Sequence, residues 1–336
     1  MVLVKLAIQF TLLPRDIDVA GISIYHYIIY FVLAALVVYL VIRYQTSTLI
    51  KTRRLLREKE KAYEKIERQR RELELKNRNI TDSIVYASYM QQALLPSEDY
   101  FYSIIPDSFI FFKPKDIVSG DFYWITKKDN KIFVVAADCT GHGVPGALMS
   151  MIGVELLNKL ILDQGIQQPS EILEIMGKGI ARTFSSATDD SNALLKDGMD
   201  IGLCAIDEQK AEIQYSGAFF PMYIIRDNKL IEIKGDRISL GVPGEISFTN
   251  KTQKIEPGDI IYLFSDGYAD QFGGPANKKF MYRRFRHLLL TIHKFPVDEQ
   301  KAIINESIES WSKGVEQVDD MIVIGMRPSV NPAPGD

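Results

Sequence analysis

Three hydrophobic rhythms follow one another along the 336-residue chain. The first is unbroken: no Lys, Arg, Asp or Glu occurs from Val19 to Ile42, and Ile22–Ile42 reads ISIYHYIIYFVLAALVVYLVI. At about 1.5 Å per residue, some 20 apolar residues cross a hydrocarbon core of about 30 Å, so the run predicts one transmembrane helix. Tyr25, His26 and Tyr27 near its start and Tyr39 and Arg43 near its end suit the two interfaces. A signal peptide or a buried core helix would also be apolar, but the leading region is too long for the first and the run too extended. Arg43, Lys51, Arg53, Arg54 and Arg57 follow the span, whereas Lys5 and Arg15 before it are offset by Asp16 and Asp18. The positive-inside rule then places the C-terminal bulk in the cytoplasm, with residues 1–21 as a short extracytoplasmic N-terminus. The expected location is the inner (cytoplasmic) membrane, single-pass.

The second rhythm is helical and charged. Residues 51–78 carry twelve Lys/Arg against six Glu with neither Pro nor Gly, which predicts a long helix. A heptad frame places Leu49, Leu56, Tyr63, Arg70, Asn77 and Ile84 at first positions and Thr52, Lys59, Ile66, Leu73, Ile80 and Ala87 at fourth positions. This imperfect apolar seam predicts a parallel dimeric coiled coil, and hence a homodimer. The other reading is a single solvated helix whose positive charge lies along anionic lipid. The helical pattern runs on to Pro96, so 43–96 reads as one coiled-coil and linker helix.

The third rhythm is short β-rich runs: Phe109–Phe112, Phe122–Ile125, Ile132–Ala137, Ile201–Ile206, Ile213–Tyr215, Met222–Ile225, Leu230–Ile233, Ile260–Phe264 and Ile322–Met326. Turn signals at Lys128-Asp-Asn130 and Asp227-Asn228 predict antiparallel hairpins. Helical stretches near 144–163, 169–187, 279–293 and 298–313 come in pairs, so the globular part, 97–327, reads as a layered α+β domain. The tail 328–336, with three prolines, reads as disordered.

Composition narrows the chemistry. Hydrophobic residues at 46% and charged residues at 25% exclude a wholly disordered or collagenous chain. A net charge of −3 gives no basic footprint for nucleic acid. Two cysteines, Cys139 and Cys204, form neither a disulfide framework nor a C-x-x-C pair, which suits a reducing compartment. Neither fits the C-x5-R pattern of cysteine-dependent phosphatases. The four histidines, His26, His142, His287 and His293, form no metal motif, so any metal must be held mainly by carboxylates.

Four aspartates stand where apolar strands begin or end: Asp121 in SGDFY, Asp138 in VVAADCTGHG, Asp266 in LFSDG and Asp319 in VDDMIV. Each alone is readable as a turn or cap residue. Together, with almost no usable histidine, they suit an oxygen-ligand site for Mg²⁺ or Mn²⁺. Gly141-His-Gly-Val-Pro-Gly146 also satisfies G-x-G-x-x-G, but Asp138-Cys-Thr separates strand from glycines, Pro145 intrudes and no βαβ unit follows.

In order, S-G-D-F-Y at 119–123, D-x-x-G-H-G-x-P-G-A at 138–147, S-D-G at 265–267 and D-D-M at 319–321 resemble the metal-dependent PPM-type protein serine/threonine phosphatases. The nearer likeness is to their bacterial SpoIIE-like and RsbU-like branch. It extends over about residues 80–327 and includes Gln91-Gln-Ala-Leu-Leu-Pro96. The resemblance implies two antiparallel sheets packed face to face, helices on both outer sides, and two Mn²⁺ or Mg²⁺ ions between the sheet ends. It implies that Asp138 bridges both ions, that Asp121, Asp266 and Asp319 complete the carboxylates, and that the Cys139 carbonyl also faces metal. Asp320 is the adjacent alternative to Asp319, because neighbours on a strand point to opposite faces. Asp270 resembles an acid that holds a third ion in some members, and is equally readable as a surface aspartate.

The implied chemistry is hydrolysis of phosphoserine by a hydroxide bridging two ions. The implied substrate is a STAS-type anti-sigma-factor antagonist in a partner-switching pathway. Lys113 and Lys115 are candidates for the substrate phosphate, although solvated lysine explains them better. His142 lies further from Asp138 than the histidine of the eukaryotic branch, which leaves its role as a proton donor in doubt. Gly217-Ala-Phe-Phe-Pro221 stands where many relatives have a polar A-G-H-N-P type turn, and Met321-Ile replaces the frequent Met-Thr. A non-catalytic scaffold and a kinase-type sensor are the competing classes. Retention of all four carboxylates opposes the first, and the lack of a convincing nucleotide motif opposes the second.

Overall fold

The computed structural model describes residues 24–141, 143–185, 198–242, 244 and 246–329. The expectations for the N-terminus, His142, the end of the second helix near 187 and the tail from 330 lie outside the described residues. The chain divides into two compact units, 1–78 and 79–336.

In the first unit every described residue belongs to helix α1, Ile24–Leu94, whose last part, 79–94, belongs to the second. From Tyr27 to Ile42 its large apolar side chains are mostly half-exposed or more. Left in water, each such side chain forgoes about 1.5–3 kcal/mol, so this surface needs a partner or a bilayer. The 51–78 stretch is held locally by pairs four residues apart, Arg54–Glu58 at 2.9 Å, Arg70–Glu74 at 3.0 Å and Glu72–Lys76 at 3.0 Å. At such exposure these pairs contribute only tenths of a kcal/mol each. The heptad residues Leu49, Leu56, Tyr63, Ile66 and Leu73 are exposed along this helix.

In the second unit, α1 stops at Leu94, just ahead of Pro96. A short helix, α2 (Glu98–Ile104), follows, capped by Ser97, whose Oγ accepts the Tyr100 N–H at 3.1 Å. Strand β1 (Ser108–Lys113) leads to the hairpin of β2 (Phe122–Lys128) and β3 (Lys131–Cys139). Helix α3 (Val144–Leu157), a π-helical turn at Asn158–Asp163 and helix α4 (Pro169–Ser185) come next. Then come β4 (Met199–Asp207), β5 (Glu212–Ala218), β6 (Met222–Arg226), β7 (Lys229–Ile233), β8 (Lys251–Lys254) and β9 (Ile260–Phe264). The chain continues through a single-turn helix, α5 (Gly267–Asp270), and a small ribbon of β10 (Phe272–Gly273) and β11 (Lys278–Lys279). Helices α6 (Tyr282–Ile292) and α7 (Val297–Trp311) and strand β12 (Met321–Met326) complete it.

The strands form two five-stranded antiparallel sheets, ordered β1-β12-β9-β6-β7 and β2-β3-β4-β5-β8. Their inner faces share one core, Tyr123, Ile125, Val134, Cys204 and Tyr215 meeting Ile110, Ile224, Leu263, Ile322 and Ile324. The outer face of the β2–β8 sheet, with Phe122, Trp124, Phe133 and Val135, packs on α3 and α4 through Met149, Leu157, Ile172 and Met176. The outer face of the other sheet, with Phe109, Tyr262, Phe264 and Val323, packs on α6 and α7 through Phe285, Leu289 and Ile304. Both faces of each sheet are covered, which is why several strands read as continuous apolar runs. The antiparallel pairing of β3 with β2 and β4 also removes the βαβ unit that a dinucleotide site would need.

Candidate metal centre

The register brings the four sequence-selected aspartates to one end of the sandwich. Asp121 immediately precedes β2, whose first residue, Phe122, pairs with Ala137. Asp138 is the next residue along β3. Asp266 follows β9 and Asp319 precedes β12, and those two ends are joined by Ser265 N–H to Ile322 O at 3.1 Å and Ile322 N–H to Ser265 Oγ at 3.0 Å. Each carboxylate thus sits where a rigid strand meets a loop.

Close backbone approach shapes the floor of this end. A Cβ on Gly146 would run into the Gly141 carbonyl oxygen and lie 2.9 Å from the Gly120 Cα. One on Gly120 would lie 2.9 Å from the Gly141 oxygen and 3.1 Å from the Cys139 oxygen. Only glycine lets the 119–121 segment, the 139–141 loop and the start of α3 meet. The Cys139 carbonyl therefore lies against the segment carrying Asp121. The Cys139 thiol belongs to the core shared with α3 and α4, and burial pushes its pKa well above the ordinary thiol range.

The adjacent acids of the Asp319–Asp320 pair face different surroundings. Asp320 is buried, with Oδ1 accepting the Lys115 N–H at 2.7 Å and Oδ2 accepting the Gly120 N–H at 2.7 Å. It is spent on shaping the loop before Asp121. Asp319 is partly exposed and accepts the Asp320 N–H at 2.9 Å, and its charge acts on Asp138 and Asp266. Asp270 pairs with Lys279 Nζ at 2.7 Å in a partly exposed ion pair, and its charge still acts on Asp266. Lys113 lies near Glu309 at 3.6 Å, a solvated pair, and Lys115 contributes its backbone N–H rather than its charge.

Electrostatics shows a concentration of negative charge. Burial, then Asp138, raises the Asp121 pKa well above the ordinary carboxylate range. Burial and then Asp266, with Asp319 and Asp200 adding, raises that of Asp138. Asp266 is pushed up to about 6 by burial, then by Asp270, Asp319 and Asp200. Such repulsion costs stability unless protons or cations relieve it. Asp121 Oδ2 is buried without a hydrogen-bond partner, the state of an oxygen left for a ligand. Among the described residues no three acidic, His or Cys side chains converge tightly enough to close a coordination shell by themselves. A hard cation that keeps several waters, as Mg²⁺ does, suits this looser arrangement of oxygens.

Sequence reasoning missed Asp200. It lies opposite Asp138 in the β3–β4 register, accepts Ser239 Oγ at 2.6 Å, and its charge acts on both Asp138 and Asp266. Its signal was present: Gly198-Met-Asp200-Ile opens an apolar strand, as Gly120-Asp121-Phe does. Ser265, which hydrogen-bonds Asp121, was seen only as part of S-D-G.

Residues 128–329, well over half of the chain, match the family described as Stage II sporulation protein E (SpoIIE). The chain belongs to the SpoIIE family. The SiaA-PP2C domain of Pseudomonas aeruginosa is similar in structure, with a TM-score of 0.68 and 30% identity over 75% of this chain and 98% of that one. Phosphoserine phosphatase RsbU of Bacillus subtilis is 27% identical over 47% of this chain and 44% of its own length. Stage II sporulation protein E of the same organism is 24% identical over 63% of this chain and 24% of its own. The chain thus spans less than half the length of these curated relatives. The SpoIIE phosphatase fold, with two antiparallel sheets and flanking helices, agrees with the resemblance read from the motifs.

Proposed function

We propose that this SpoIIE-family chain is a membrane-anchored, Mn²⁺- or Mg²⁺-dependent protein serine phosphatase. The observation that carries the reading is the set of Asp121, Asp138, Asp266 and Asp319 at one sandwich end, the first three raised in pKa by burial and by neighbouring acids, with a buried Asp121 oxygen unpartnered. These four would hold two ions, with Asp138 shared between them and the Cys139 carbonyl on the same side. Asp320 is assigned to the loop rather than to metal, since its oxygens serve backbone N–H groups. Asp270, held by Lys279 in a partly exposed ion pair, is not assigned to the two ions.

When bound, a pair of such ions acts as a Lewis acid and makes hydroxide available near neutral pH. The protein's own contribution is to fix the acids. Strand ends hold them rigidly, Ser265 orients Asp121, and Asp320 fixes Gly120 beside it. Packing of both sheet faces keeps this end from rearranging as charge shifts onto the phosphoryl oxygens.

The exposed apolar surface of Tyr27–Ile42 supports a bilayer-spanning helix. Val144–Asp163 is also long and apolar enough, but half of it is buried in the core of the second unit. The exposed heptad residues support a dimeric coiled coil. RsbU, a relative named phosphoserine phosphatase, supports phosphoserine as the substrate group, and a phosphorylated STAS-type protein in a partner-switching pathway is the substrate that the family resemblance implies. The test is phosphate release from a serine-phosphorylated STAS-type protein and from a small aryl phosphate, by the full chain in detergent micelles. Turnover with Mn²⁺ that disappears with chelator and with Asp138→Asn supports the reading. A chain that binds Mn²⁺ yet hydrolyses neither substrate refutes it.

A further inference from the structure

Gln91 lies in the part of α1 that belongs to the second unit, and it is 6% exposed. Its Nε2 donates to Ser119 O at 2.6 Å and to Ser150 Oγ at 2.8 Å, and its Oε1 accepts the Ser119 N–H at 3.2 Å. One carboxamide thus pairs with both backbone groups of a single residue, as a neighbouring strand would, and reaches a third group on α3. Ser119 stands two residues before Asp121. On the next residue, the Gly120 N–H is held by Asp320, so the approach to Asp121 is gripped from two directions. Ser150 in turn donates to Ala147 O at 2.8 Å, within the first turns of α3 that pack through Gly146 against Gly120 and Gly141.

We propose that Gln91 is a positioning residue of the metal centre: by holding Ser119 and Ser150 together it fixes where the Asp121 carboxylate meets the ions. The proposal rests on the metal-dependent reading above. Only an amide fits the role, because the site requires a donor for Ser119 O and an acceptor for its N–H on one planar group. A leucine leaves both buried backbone groups unpaired, which is costly. A glutamate keeps the acceptor but has no donor while ionised. The adjacent Gln92 is exposed and reaches only Ser88 Oγ, at 3.4 Å, which makes it a matched control.

The experiment uses the full chain in detergent micelles as wild type, Gln91→Leu, Gln91→Glu and Gln92→Leu. Three readouts are taken: free Mn²⁺ by its electron paramagnetic resonance signal, urea unfolding followed by tryptophan fluorescence, and kcat and KM for a small aryl phosphate. Both Gln91 variants are expected to bind Mn²⁺ at least tenfold more weakly and to lose at least tenfold in kcat with KM within twofold. Gln92→Leu is expected to match wild type. Gln91→Glu preserves length and helix propensity, so it carries the test if Gln91→Leu does not fold. Folded Gln91 variants with wild-type Mn²⁺ affinity and kcat overturn the proposal, and so does a loss of urea stability alone, which marks a merely structural residue. A wild-type chain that binds no Mn²⁺ overturns the metal-dependent reading itself and the proposal with it.

Discussion

Asp319 and Asp320 adjoin in sequence, yet the structure gives them opposite duties, and substituting each in turn separates them. Asp320 accepts two backbone N–H bonds of 2.7 Å, from Lys115 and Gly120, in a buried setting. Hydrogen bonds to a charged group contribute about 1.5–3 kcal/mol each, so Asp320→Ala should cost about 3–6 kcal/mol. That is a large share of a typical domain stability of about 5–15 kcal/mol. Asp319→Asn keeps an oxygen for the Asp320 N–H and removes a charge that repels Asp138 and Asp266. Its stability without metal should therefore stay within about 1 kcal/mol of wild type or rise, while metal-dependent turnover falls at least a hundredfold, as expected when an electrostatic contribution of about 3 kcal/mol is lost. Urea unfolding in chelator, read from Trp124 and Trp311, both in the second unit, measures the first quantity; phosphate release with Mn²⁺ measures the second. Equal stability losses for the two variants, or an Asp320→Ala chain as stable as wild type, would refute the division of labour.

Further tests address the neighbouring claims. Gly146→Ala forces a Cβ into the Gly141 carbonyl and toward Gly120, so both turnover and the urea midpoint should drop; retention of both would show that the loops do not need this approach. In chelator, the raised Asp266 pKa means that the folded state keeps a proton which the unfolded chain releases between its ordinary 3.8 and about 6. Stability contributed by this group is therefore lost as pH rises through that window, and at about 1.4 kcal/mol per pH unit the loss is about 3 kcal/mol. Asp266→Asn should accordingly gain on wild type from pH 4 to 6 in urea unfolding, and a constant difference would contradict the charge repulsion. Cys139 and Cys204 are buried, so a Leu73→Cys chain should cross-link to a dimer through its new thiol while Leu75→Cys, off the seam, should not. Equal yields would favour the solvated single helix.

Much of the architecture is legible in the residues because the strands are covered on both faces. All nine anticipated strands are present, and the turns at Asp129 and at Asp227-Asn228 sit at positive φ, as tight hairpins require. Strand β8, Lys-Thr-Gln-Lys, carries no apolar alternation and exists only because β5 offers it an edge. Helix α2 was hidden by its shortness, although Ser97 is an ordinary cap. The four aspartates of the candidate metal centre were visible as acids at the ends of apolar runs. Asp200 carried the same pattern unnoticed, since its importance comes from standing opposite Asp138 on another strand. The different surroundings of Asp319 and Asp320 needed the orientation of β12, and Gln91 needed a contact 28 residues away along the chain. Pairings of that kind follow from tertiary packing, on which local patterning is silent.

In the proposed mechanism everything depends on a pair of ions held by the aspartates at the sandwich end. Anomalous scattering from crystals of the protein soaked in Mn²⁺ tests it most directly. Two adjacent peaks sharing Asp138 are expected, reached by Asp121, Asp266 and Asp319, with Asp320 still bound to the Lys115 and Gly120 amides. Absence of density there from a protein that hydrolyses phosphoserine with Mn²⁺, or peaks coordinated by Asp320 in place of Asp319, would contradict it.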